Sequence, residues 1–163
     1  MFTPSLILLA RAVHILAGVY WAGAMFVFVG ILLPALHKEG AGATLVPVMK
    51  QLGMRAGIAG LLTILAGIYL FAALHGQDES AGGKVLGIGG AAAILAFLIA
   101  LFVNMPAGRK LAKLHAAPAI DAKDRERMAA ALQSRVHLGA RLIAGLLAVA
   151  VLCMAVFRYA SLL

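Results

Sequence analysis

Five histidines, and two arginines set inside apolar sequence, are the residues of this chain with chemistry to offer. Arg11 and His14 stand in a long apolar run, and helical spacing puts them on one face with Gly18, Trp21, Met25, Phe28 and Leu32. Hydrocarbon makes an ionisable pair expensive, so such a pair in a membrane-length segment marks a candidate site. His75 closes a second apolar run at the same end. Imidazoles from two facing helices can ligate a b-type haem axially, or hold copper or zinc. The expectation is therefore that His14 and His75 form the ligand pair. Arg11 would supply charge to a haem propionate, a quinone carbonyl or another anion, and Trp21 would pack a porphyrin edge. The structural alternative keeps the site free of any cofactor. His14 then hydrogen-bonds across the bundle, His75 is a wet interfacial residue, and Arg11 snorkels to the headgroups.

Asn104, His137 and Arg141 make a second polar group toward the opposite end, with His37 and His115 on that side as well. His14 and His137 are separated by roughly 20–30 Å of helix rise and cannot share one cofactor. Arg141 sits about two turns into its span, with no Asp or Glu in any span to neutralise it. It either snorkels, meets lipid phosphate or helix-end carbonyls, or completes an anion or quinone site. The missing carboxylate also argues against proton-coupled transport. Cys153 is the only cysteine, which rules out a disulfide framework and a thiolate cluster. No HxxxH or HExxH spacing, Walker loop, Ser–His–Asp set or carboxylate pair occurs.

These residues need helices to position them, and the composition says which kind. Of 163 residues, 64% are hydrophobic and 12% charged, about half the charge of a soluble domain; the mean hydropathy is +1.03. Apolar runs of about 18 or more residues are long enough to cross a bilayer. Four such spans are expected, at about 5–37, 53–75, 84–106 and 134–159, with a polar helical extension at about 121–133. The fold class is all-α, an integral membrane up-down-up-down four-helix bundle in a single domain. Thr3 and Pro4 start the first span, Pro34 kinks its last turns, and Pro106 with Gly108 marks the end of the third. Gly53, Gly57, Gly60 and Gly67 in the second span, and Gly83, Gly87 and Gly90 in the third, are expected to seat neighbouring helices. No internal repeat is evident.

A formal net charge of +8 could suggest nucleic acid. The basic residues flank apolar spans, however, where anionic lipid accounts for them, so the expected partner is the bilayer and not nucleic acid. Lys38, Lys50, Arg109, Lys110, Lys113, Lys123, Arg125 and Arg127 fall in the first and third loops, against Lys84 and Arg158 on the other side. The positive-inside rule puts those two loops in the cytoplasm of a bacterial inner membrane and both termini outside. No cleaved signal peptide or lipidation motif is expected.

The segment HILAGVYWAGAMFVFVGILLPAL, residues 14–36, resembles the opening helix of the copper-resistance protein D (CopD) set and of the HemJ-type protoporphyrinogen oxidases. Each begins with a histidine, continues with Trp-x-Gly, and runs apolar to a proline. LTILAGIYLF at 62–71 is similar to their second helix, and GGKVLGIGG with FVNMPAGRKL to their third. The resemblance implies a four-span bundle and makes His14 the counterpart of the haem-associated histidine of HemJ-like proteins. Pro34-Ala35 stands where the HemJ type has Pro-Arg, and its Asn-Glu-x-Pro near the last helix is absent.

Three functional classes follow. One is a redox or metal-linked membrane protein holding haem b or copper. Another is a non-catalytic accessory or interaction subunit, as a homo-oligomer or within a membrane complex, with no cofactor. The third is a small-molecule transport component.

Overall fold

The computed structural model describes residues 3–35, 45–76, 78–116 and 121–160. Every regular element in them is helical: α1 (Pro4–Val27), a π turn (Phe28–Leu32), α2 (Leu45–Leu74), α3 (Ala81–Ile99), a second π turn (Ala100–Asn104), α4 (Met105–Ala116) and α5 (Ala122–Val156). Lipid cannot satisfy backbone N–H and C=O groups, so apolar sequence of this length resolves into helices whose bonds are internal. Four stretches are long and apolar enough to cross a membrane: Pro4–Ala35, Val48–Leu74, Ala81–Leu114 and Lys123–Val156.

Side-chain size is distributed as lipid solvation requires. Alanines fill the interior, with Ala56, Ala59, Ala92, Ala93, Ala96, Ala140, Ala144 and Ala150 all buried. Leu8, Leu16, Val19, Phe102 and Leu152 lie on the outside. Small interior residues let helix backbones approach, and the resulting dispersion contacts replace a hydrophobic drive that lipid does not supply. α1 lies along α2 and α3 along α5, and these two hairpins meet across a thinner seam. Trp21 is the largest piece of that seam. Its indole is 3% exposed and stands edge-on to Phe97, with centroids 6.1 Å apart and planes at 84°. Gly60 admits it, since a Cβ there would come within 3.0 Å of the indole.

The first helix of each hairpin carries the same device, a π turn. Leu33 N–H reaches back five residues to Phe28 O, and Met105 N–H reaches back five to Ala100 O. A proline follows each at once, Pro34 and Pro106. A proline lacks the N–H that would continue the α pattern, and its ring crowds the carbonyl four residues back. Widening the preceding turn relieves that crowding without ending the helix. Pro106 therefore does not stop the third span as expected; the helix runs on through α4.

The other boundaries shift for simpler reasons. α2 begins at Leu45, well before the expected 53. The polar extension and fourth span form one uninterrupted helix, as expected. His37 and Lys38 lie outside the described residues. At the α2–α3 connection Ser80 is a true N-cap, its Oγ accepting from Gly83 N–H at 3.1 Å. Asp121 and Thr3 precede their helices without a side-chain cap bond.

The glycine seam of α2 is kept in part, and that of α3 is displaced toward a neighbouring face. Gly60 and Gly67 seat neighbours, but a Cβ at Gly53, Gly57, Gly87, Gly90 or Gly145 would meet nothing within 4 Å. The contact face of α3 instead carries Gly82, against the Phe157 carbonyl, and Gly89, against Cys153 and Ala150.

Candidate functional site around His14

His14 lies at the α1–α2 interface, where its Nδ1 donates to the backbone carbonyl of Thr63 at 2.8 Å. The slot is built by a short run of α2. Thr63 is buried and turns its hydroxyl back to Ala59 O at 2.7 Å, so the hydroxyl is spent within its own helix and the carbonyl faces the imidazole. One turn on, Gly67 leaves the space the ring occupies; a Cβ there would stand 2.9 Å from His14 Cε1 and 3.1 Å from Nδ1. On α1, Gly18 brings the helices together, its own Cβ position lying 3.4 Å from Thr63 Cγ2.

The acceptor fixes the tautomer. A carbonyl can only accept, so Nδ1 carries the hydrogen and Nε2 of the neutral ring keeps its lone pair. Ligating histidines are oriented in this way, with one nitrogen held by a backbone carbonyl and the other presented to the metal. With Nδ1 so held, Nε2 of His14 is the ring atom that would bond a metal centre. Beside the ring, Leu6, Leu9, Ala10, Val13, Ala66 and Tyr69 line an apolar groove of about 250 Å³ on the flank of the bundle. Arg11 is exposed one turn from His14 toward the chain start.

The expected ligand pair is not assembled. His75 lies in the turn just past α2, eight residues beyond Gly67 and about 12 Å higher along the axis. There its Nδ1 pairs with Asp78 Oδ2 at 3.3 Å, and its ring packs against Phe157 and Phe71 with centroids 5.9 and 6.4 Å away. Asp78 lies in the loop, and its carboxyl is held below the ordinary aspartate range. The Ser80 hydroxyl contributes most, then the Ser80 N–H at 3.0 Å and the His75 ring. Trp21 shares the helical stripe of His14, yet it is buried against Gly60 and Phe97, which commits it to the core.

The second polar group is divided between two faces of α5. Asn104 ends the second π turn and points at the α5 backbone. Its Nδ2 donates to Val136 O at 3.4 Å, and its amide oxygen rests on Gly139, where any Cβ would overlap it. That oxygen is buried without a hydrogen-bond partner among the described residues. His137 and Arg141 line a separate concavity. Among the described residues no three His, Cys, Asp or Glu side chains gather as a metal-binding group.

Of the two residues that hold His14, Gly67 is expected from its spacing to seat a neighbouring helix, whereas Thr63 is the one the sequence does not flag. The available signal is that Thr63 is the only serine or threonine of α2, one turn before a glycine. No protein-family profile, curated protein or solved structure matches the chain.

Proposed function

We propose that this chain is a membrane protein holding a b-type haem through Nε2 of His14, with a redox role in a bacterial inner membrane. The observation that carries this reading is the 2.8 Å bond from Nδ1 to Thr63 O, which leaves Nε2 as the ligating atom. A haem needs only one or two protein ligands, whereas a protein cage for copper or zinc needs about three or four. The donor set around His14 therefore favours haem over copper. When bound, the haem would supply one-electron iron chemistry. Thr63 would hold the imidazole in the ligating tautomer, Arg11 would offer a cation to a propionate, and the apolar groove would exclude water.

The test is the visible spectrum of the full chain purified from haem-supplied cells. A Soret band is expected in the wild type and absent from His14→Ala, while His75→Ala and His137→Ala retain it. A Soret band that survives His14→Ala, or a colourless wild type, would overturn the reading.

The same bond favours a second reading, because it also joins two helices. In it the protein is a non-catalytic accessory subunit and His14 is an interhelical pin. A colourless, metal-free wild type that loses stability on His14→Ala would support that reading.

A further inference from the structure

We propose that the polar concavity on α5 is a binding site for the phosphate headgroup of an anionic phospholipid. It is an open surface depression of about 430 Å³ on one helix, lined by Ala130, Gln133, Ser134, His137, Leu138 and Arg141. Spacings of three and four residues gather these side chains on one side of the helix, flanking the buried stripe of Ala140, Ile143, Ala144 and Leu147. The site lies at the end of the bundle opposite His14 and is independent of the haem reading.

Charge gives the class of ligand. Arg141 is exposed and has no ion-pair partner among the described residues. The carboxylates of α5 are Asp124 and Glu126 in its opening turns. Glu126 lies one turn before Ala130 on the same stripe, about 22 Å of helix rise from Arg141, and the chain carries no Asp or Glu from Arg127 to its last residue. A guanidinium at such a depth is costly unless an anion or water reaches it.

Depth decides between a lipid and a free anion. Leu138 and Leu142 are 62% and 50% exposed on the membrane side of the concavity, and Lys123 and Arg127 project from the polar extension on the other. The concavity thus straddles the boundary between hydrocarbon and water. Helical side chains lean toward the N-terminus, which carries the Arg141 guanidinium back toward Ser134 and the aqueous end. There its fork matches two phosphate oxygens, while Gln133 and Ser134 add N–H and O–H donors. The exposed leucines lie where the first acyl methylenes of the same lipid run.

Native mass spectrometry of the full chain in detergent, with added phosphatidylglycerol or phosphatidylcholine, tests this. Wild type should retain the anionic lipid about tenfold better, and Arg141→Gln should remove that preference, as loss of one charge-assisted bidentate contact predicts. Arg141→Lys, which keeps the charge and loses the fork, should fall between them and separates a lost site from a lost fold. Arg135→Gln, an exposed arginine outside the concavity, should retain the wild-type preference. Undiminished retention in Arg141→Gln overturns the proposal. So does an equal loss in Arg135→Gln, which would mean diffuse attraction, and so does displacement by excess inorganic phosphate, which would mean a soluble anion.

Discussion

Nδ1 of His14 and the carbonyl oxygen of Thr63 face each other at 2.8 Å across the α1–α2 interface, over a glycine that leaves the ring its space. Polar bonds between membrane helices contribute about 0.6–2 kcal/mol, and the packing around the ring adds to that. His14→Ala should therefore destabilise the protein by about 1–3 kcal/mol. Gly67→Ala pushes a methyl into the imidazole and should cost about 1–2 kcal/mol. Because both changes break the same contact, the double variant should lose less than the sum. Unfolding by denaturing detergent in mixed micelles measures all three. Strict additivity would show that the ring and the glycine act separately.

Much of this was legible in the sequence, and the failures have physical causes. Four apolar spans follow from hydropathy, because lipid leaves helices as the structure such sequence can adopt. Pro106 reads as a stop, yet a π turn absorbs the missing N–H, and nothing in residues 100–104 announces it. Glycines recurring every three or four residues trace more than one stripe, so Gly87 and Gly90 mislead where Gly89 makes the contact. His14 and His75 share an end of the bundle, but their heights depend on the sliding register of α1 against α2, which spacing within one helix does not contain. The partner of His14 is a main-chain carbonyl, and a carbonyl has no sequence signature.

Asn104 and Gly139 give a sharper stability test, because a glycine with nothing near it sits on the same helix. A Cβ at Gly139 would overlap the Asn104 amide, whereas one at Gly145 would meet nothing within 4 Å. Gly139→Ala should cost about 2 kcal/mol through overpacking. Gly145→Ala should be neutral or slightly stabilising, since alanine is the better helix former. Thermal unfolding followed by circular dichroism in one detergent compares them. Equal midpoints for the two variants would remove Asn104 from the α5 contact.

The Asp78 carboxylate couples the α2–α3 connection to acid. Its pKa lies below the ordinary value because Ser80 and then His75 stabilise the charged form. A depressed folded-state pKa contributes stability that is present above the unfolded value of about 4 and is lost as pH falls through the folded value. The wild-type midpoint should therefore drop on acidification below about pH 4. Asp78→Asn should start lower at neutral pH and show less of that drop. Superimposable pH profiles would mean that the loop contributes nothing to global stability.

The orientation of the bundle follows from which end carries the cations. Lys50 and Arg55 open α2, Arg109, Lys110 and Lys113 lie on α4, and Lys123, Arg125 and Arg127 open α5, so all gather at one end. The other end holds Lys84 and Arg158 beside Asp78 and Glu79. Lysine and arginine near span ends resist translocation, and acidic residues count for little, so the α2–α3 connection and both termini should face outward. Alkaline phosphatase, which is active only outside the cytoplasm, should be active when fused after residue 160 or inserted within 76–79. It should be silent when inserted within 117–120. Activity at that last position alone would invert the bundle and place His14 at the cytoplasmic face.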